Sequence, residues 1–252
     1  MRCRLAIAMA ALLPLTAMAQ SPTPDTAANP LAQARQAYAE RADPGRAKEA
    51  MDLFLQAAAA DPQSYEARWE GARAIYYLGT YGSPKASDDD KVVLFQRGID
   101  LAKAAIALRP EGVEGHFWLG VLYGVYGEAR GVMKSLGLVG DIEREMELCL
   151  KEDPSVEGYG PYRVLGRMYY KLPWFAGGSK KKSLEYLEKS LAGAPTNDLT
   201  RLYLADTLRA KGRDEEAKAQ LQHILSTPPD PRWAPEYPWI KGQAEQLAKE
   251  MR

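Results

Sequence analysis

DLTRLYLADTLRAKGRDEEAKAQLQHILSTPPDP, residues 198–231, is a unit of 34 residues that reads as two helices joined by a turn. Leu204, Ala205 and Leu208 lie at helical spacing in its first half, and Ala217, Leu221 and Ile224 do the same in its second. Steps of three and four place such residues on one face of a helix. Lys211-Gly212-Arg213-Asp214 supplies the turn. Pro229 closes the unit, because its ring cannot continue the helical hydrogen-bond ladder.

The second half of this unit recurs along the chain. A small or medium residue, a bulky one, a small one and a proline follow at steps of four, three and five. The series occurs as Ala50, Phe54, Ala57, Pro62 and as Gly98, Ala102, Ala105, Pro110. It returns as Ile142, Met146, Cys149, Pro154, as Ser183, Leu187, Ser190, Pro195 and as Ala217, Leu221, Ile224, Pro229. Ahead of four of these lies a second pattern whose ideal form is W-x2-L-G-x2-Y. The chain offers Trp69, Ala72, Arg73, Tyr76; then His116, Leu119, Gly120, Tyr123; then Tyr162, Leu165, Gly166, Tyr169; and Arg201, Leu204, Ala205, Leu208. The Leu-Gly pair has a steric purpose, since the missing side chain lets a partner helix approach while Leu and Tyr fill the space beside it.

Together the two patterns resemble the tetratricopeptide repeat (TPR), and the resemblance covers residues 31–231. It implies an all-α fold, a TPR α-solenoid of about five helix-turn-helix repeats. Residues 232–252 are expected to form a capping helix, with Ile240, Ala244, Leu247 and Met251 as its apolar stripe. A cap is needed because an open repeat face would leave apolar surface in water. Three repeats carry expected insertions, at Gly79 to Asp90, Gly124 to Gly140 and Leu172 to Gly178. Long loops of a repeat array tend to carry function.

The third and fourth repeats narrow the resemblance. His116-Phe117-Trp118-Leu119-Gly120-Val121, the glycine-rich insertion after it and KLPWFAGGSKKKSLEYLEKSL, residues 171–191, are similar to the periplasmic TPR component of TRAP-type solute transport systems. They resemble more distantly the regulator-of-microtubule-dynamics proteins of animals. The first resemblance implies a homo-oligomer that docks a periplasmic solute-binding protein.

Residues 1–19 read as a signal peptide. Met1 to Arg4 carry two arginines and no acid, Leu5 to Thr16 form an apolar core, and Ala17-Met18-Ala19 is a small-x-small cleavage site before Gln20. Cys3 precedes the apolar run, so no lipid anchor is expected. Residues 20–30, rich in Pro, Ser, Thr and Ala, read as a disordered lead-in. The expected location is periplasmic or secreted, with no membrane span in the mature chain.

The whole chain has 33 Lys and Arg against 33 Asp and Glu; without Arg2 and Arg4 the 31 remaining cations leave a net charge of −2. Nucleic acid, whose phosphates demand an excess of Lys and Arg, is not an expected partner. One cysteine, Cys149, survives cleavage, so no internal disulfide can form. It occupies a small position between helices and reads as a buried, inert thiol.

No catalytic set, cofactor site or metal site emerges. His116 and His223 stand in different repeats, and His116 takes the packing place of the signature tryptophan. Asp88-Asp89-Asp90 lacks the calcium-loop pattern and reads as a helix start. Gly177-Gly178-Ser179-Lys180 lacks the first glycine of a phosphate loop. Ser179, Lys180, Lys181 and Lys182 at a helix N-terminus read either as a solvated basic turn or as contacts for an anion.

The concave groove of a TPR array is lined by the first helix of each pair. The residues expected to face it include Glu70, Ala74 and Tyr77, then Phe117, Val121 and Gly124, then Arg163, Arg167, Tyr170 and Lys171, then Leu202, Asp206 and Arg209. Its first half is thus apolar and aromatic, its second basic. Those arginines either receive an acidic group or pair with Asp206 and other acids. The expected function is a non-enzymatic scaffold that binds a protein in this groove. The alternative is a carrier of an amphipathic acidic small molecule held between the two halves.

Overall fold

The computed structural model describes residues 29–83 and 85–251, so the signal peptide and most of the lead-in lie outside the described residues. The described residues form eleven α-helices and no strand. In chain order these are α1 (Pro30–Ala39), α2 (Pro44–Ala60), α3 (Tyr65–Tyr77), α4 (Asp88–Leu108) and α5 (Val113–Arg130). There follow α6 (Val139–Glu152), α7 (Val156–Lys171), α8 (Lys180–Gly193), α9 (Asp198–Arg209), α10 (Asp214–Ser226) and α11 (Tyr237–Glu250). The first ten make five successive pairs, each packed within itself and against the next, and α11 packs on the last pair. The expected all-α solenoid with a terminal cap is the observed one.

The helix ends follow local chemistry. Asn29 and Asp43 cap helices that open with proline, where the missing N–H costs nothing. Ser87 Oγ accepts from Asp90 N at 3.1 Å, so the three aspartates start α4. The second helices of the pairs end at Ala60, Leu108, Glu152, Gly193 and Ser226, two or three residues before Pro62, Pro110, Pro154, Pro195 and Pro229.

The spaced residues found in the sequence are the core. Phe54, Ala102, Met146, Leu187 and Ile224 are completely buried. Removing a large apolar side chain of this kind from water contributes about 1.5–3 kcal/mol. Where a serine takes a small position its hydroxyl is satisfied: Ser183 Oγ meets Thr207 Oγ1 at 2.9 Å, and Ser190 Oγ donates to the Tyr159 carbonyl at 3.0 Å. The two signature glycines sit where helices touch. A Cβ at Gly120 would lie 2.4 Å from Met146 Cε, and one at Gly166 would lie 2.6 Å from Leu187 Cγ and 3.2 Å from the Ser183 carbonyl.

Two insertions are shorter than the sequence suggests. Residues 78–82 continue α3 as a wide π-type turn, so the first loop is confined to the residues between Gly82 and Asp88. Gly124 and Gly127 lie inside α5, which ends only at Gly131, where a φ of 97° breaks it. The price of helical glycine, about 1 kcal/mol each, is offset by packing: Gly127 admits Ser135 so closely that a Cβ would stand 3.3 Å from Ser135 Cβ. A 3-10 turn, Val132–Leu138, then leads into α6.

The start of α7 is left-handed. Glu157 (φ 49°), Gly158 (φ 65°) and Tyr159 (φ 56°) precede the regular helix. The two non-glycine residues carry roughly 1–2 kcal/mol of strain each. Arg163 holds the turn by donating to the carbonyls of Gly158 at 3.4 Å and Glu157 at 3.3 Å.

Candidate functional site

Arg163, Arg167 and Lys171 stand one turn apart on α7 and line one cavity of about 140 Å³ with Phe117 and Val121 of α5. With Gly124 in the same lining, the repeat geometry thus brings together six of the residues expected to form a groove. The cavity is floored by α5, closed on one side by the 3-10 turn and α6, and bounded by Leu172 and by Leu199 and Tyr203 of α9. Both remaining insertions therefore meet at its rim.

The basic row is mostly neutralised within the protein. Arg167 Nη1 donates to Asp206 Oδ2 at 2.7 Å, with its guanidinium 4.2 Å above the Tyr203 ring. Lys171 pairs with Glu128 at 3.3 Å. Arg209, farther along, pairs with Glu250 at 2.6 Å, outside the cavity. Arg163 differs: its partners are the two carbonyls of the left-handed turn, and no carboxylate among the described residues pairs with it. Tyr170 does not line the cavity; it is held between Arg167 and Lys180, whose charged groups stand 5.2 and 3.6 Å from its ring centroid.

The rest of the expected groove is not an open surface. Tyr77 is buried, at 4% exposure, beneath the chain's own C-terminal segment, which crosses to the first repeats. Phe117 and Val121, in the wall of the cavity, are buried too, at 1% and 8%. Tyr77 Oη donates to the Pro235 carbonyl at 3.2 Å, Arg41 pairs with Glu236 at 3.0 Å, and Tyr81 meets Trp239 edge-on at 5.4 Å. Burial pushes the Glu236 carboxyl above its ordinary range despite Arg41. Glu70, expected at the groove surface, is buried and gripped by Arg35 at 2.5 Å and Arg73 at 3.4 Å. Ala74 and Leu202 are likewise buried. What remains of the concavity is a half-open space of about 540 Å³ bounded by Arg41, Arg73, Tyr77 and Trp233.

The three lysines at the start of α8 go separate ways. Lys180 donates to the Tyr170 carbonyl, and partial burial lowers its pKa. Lys182 lies 4.7 Å from the Tyr169 ring centroid, and Lys181 runs along its own helix toward Glu185. Ser179 Oγ caps the helix by accepting from Lys182 N at 3.2 Å. His116 is buried between Glu145 (2.6 Å) and the Pro110 carbonyl (2.7 Å), as its place in the packing pattern requires. Cys149 is buried, and desolvation, helped by Glu145 and Asp153, pushes its thiol up to about 12. Among the described residues, no cluster of three or more His, Cys, Asp or Glu could hold a metal, and no helix is long and apolar enough to cross a membrane.

With this architecture in place, the comparisons are specific. The family described as regulator of microtubule dynamics protein 1-3 matches residues 31–251, which includes every helix pair and the cap. The chain belongs to that family. The match falls on the second of the two families that the third and fourth repeats resemble. No curated protein matches the sequence. Among solved structures, the thermophilic TPR protein TTC0263 of Thermus thermophilus aligns with a TM-score of 0.64 at 22% identity, covering 88% of this chain and 98% of that one. That likeness shows the TPR-type fold. Human IFIT1, solved as a dimer with PPP-AAAA, aligns with a TM-score of 0.42 at 14% identity, over 88% of this chain and 58% of its own.

In this regulator of microtubule dynamics family member, Arg167 is a residue the sequence singles out, whereas Trp118 and Ser135, which line the same 140 Å³ cavity, are not legible there as site residues. Trp118 Nε1, Ser135 Oγ and Arg167 Nε are buried without a hydrogen-bond partner among the described residues. Trp174 and Phe175, by contrast, stand in solvent at 85% and 59% exposure. The Leu-Pro-Trp-Phe run is readable as an insertion, but nothing in it tells which aromatics turn outward.

Proposed function

We propose that the chain is an exported TPR scaffold of the bacterial periplasm whose protein partner docks on the insertion between α7 and α8. The fold itself is that of a protein-interaction scaffold, a class that ordinarily does not catalyse. The observation that carries the docking face is the Trp174–Phe175 pair, packed edge-to-face at 5.9 Å and left in solvent. Exposed neighbouring aromatics are costly in water and are the residue types that anchor interfaces. The pair is also held firmly. Gly178 N donates to the Pro173 carbonyl, closing the loop on itself, and Ser179 N donates to the Tyr169 carbonyl, tying its end back to α7, each at 3.0 Å. The groove, bridged by the chain's own C-terminal segment, is the weaker candidate surface.

Export is supported by Arg2, Arg4, the apolar run Leu5 to Thr16 and the Ala17-Met18-Ala19 site. The likeness of the third and fourth repeats to the TRAP-type periplasmic component favours a solute-binding protein as the partner. The test is affinity capture of the tagged full-length chain from periplasmic extract, with mass spectrometry of both bait and captured protein. The bait is expected to begin at Gln20 and to retain one solute-binding protein, and Trp174→Ala with Phe175→Ala is expected to release it. A bait that keeps its first residues, or a double variant that captures the same protein equally well, overturns the reading.

A further inference from the structure

The cavity between α5, α6 and α7 has properties that protein packing alone does not explain. Its walls are largely aliphatic, supplied by Val121, Val132, Leu138, Val139, Ile142 and Leu172. Trp118 and Ser135 complete the wall and are only 6% and 8% exposed. A space lined in this way suits the apolar body of a ligand better than water.

Charge points the same way. The cationic side chains lining this cavity are Arg163, Arg167 and Lys171, and its lining carboxylate is Glu128. Lys171 is matched by Glu128 and Arg167 by Asp206. Arg163 has only the two carbonyls, at 3.3 and 3.4 Å, longer than a charge-assisted bond prefers. It also lines the 540 Å³ space on the other side of the same wall, as does Trp118. A guanidinium without a counter-ion among the described residues thus stands at the junction of an apolar chamber and a roomier polar one.

We propose that this cavity binds a small organic acid, with the apolar body in the aliphatic chamber and the carboxylate on the Arg163 guanidinium. Size limits the occupant: an apolar cavity near 150 Å³ holds a molecule of about six carbons. This site is independent of the docking face at Trp174 and Phe175, and either can exist without the other.

Calorimetric titration of the purified chain with hexanoate, and separately with hexylamine, tests the assignment. Hexanoate is expected to bind saturably at one site, and hexylamine at least tenfold more weakly. Arg163→Gln removes the charge-assisted bond and is expected to weaken hexanoate by roughly ten- to a hundred-fold. Because Arg163 also steadies the left-handed turn, a further variant decides the matter if that one unfolds. Val139→Phe fills the half-buried rim and should abolish binding with helicity unchanged. Absence of saturable hexanoate binding, equal binding of hexylamine, or hexanoate binding indifferent to Val139→Phe refutes the proposal.

Discussion

Gly166→Ala and Gly120→Ala are the same chemical change at equivalent places in successive repeats, yet they are expected to differ in effect. At Gly166 the new Cβ arrives 2.6 Å from Leu187 Cγ, 3.0 Å from its Cδ2 and 3.2 Å from the Ser183 carbonyl. Leu187 is completely buried, and the obstructing atom is its branch point. Neither it nor a helix carbonyl can swing aside, so α7 and α8 must separate. Overpacking of this kind costs about 1–3 kcal/mol. Replacing a helical glycine returns about 1 kcal/mol. With both neighbours fixed the upper end applies, for a net loss near 2 kcal/mol. At Gly120 the close atom is Met146 Cε, 2.4 Å away, the free end of an unbranched side chain. Methionine repacks readily, so the propensity gain roughly cancels the strain. In a domain of this size about 1 kcal/mol moves Tm by about 2–4 °C. Melting followed by circular dichroism should show Gly166→Ala lower by about 4–8 °C and Gly120→Ala within a few degrees of the parent. Equal melting of both variants and parent, or a larger loss at Gly120, would refute the helix contacts on which the repeat register rests.

Three other outcomes are expected. Arg41→Ala strands Glu236 at a contact where both side chains are only 12–13% exposed; it should cost about 2–3 kcal/mol, and hydrogen exchange should speed up selectively in residues 231–251. Burial raises the Asp198 carboxyl to about 6, so the folded state binds a proton more tightly than the unfolded one and stability falls as pH rises from about 4 through 6. Asp198→Asn should therefore gain about 1–2 kcal/mol relative to the parent at pH 7.5 compared with pH 4, read from paired melts. Cys149, with its thiol held near 12, should resist an aromatic disulfide reagent for hours at pH 8 in the native protein and react within minutes in denaturant.

The helical stripes are legible in the sequence because they are local. Ala50, Phe54 and Ala57, or Ala217, Leu221 and Ile224, reveal a buried face by spacing alone, and a proline two or three residues past each helix marks its end. Gly120 and Gly166 are readable for the same reason. The errors lie where distant parts of the chain meet. Arg41 and Glu236 are 195 residues apart, and no periodicity announces that Pro235 will accept from Tyr77 and close the concave side. Reading Gly124 as the start of a loop fails because glycine's weak helix preference yields one turn on, where Gly127 packs closely against Ser135 and α5 runs through to Arg130. The α7 row of Arg163, Arg167 and Lys171 is legible as a row, and pairing with Asp206 stands among its readings. That Arg163 alone would keep only carbonyls depends on a left-handed turn that nothing in Ser155-Val156-Glu157-Gly158 predicts.

The central functional claim is that recognition has left the groove, which the C-terminal segment bridges, for the aromatic insertion after α7. A photo-crosslinking amino acid placed at Phe175, and in a second protein at Tyr77, tests it in living cells of the organism that encodes the chain. The account predicts an adduct with one exported protein from position 175, whereas position 77 crosslinks only within the chain, to the segment around Pro235. An adduct to another protein from position 77 and none from position 175 would contradict it.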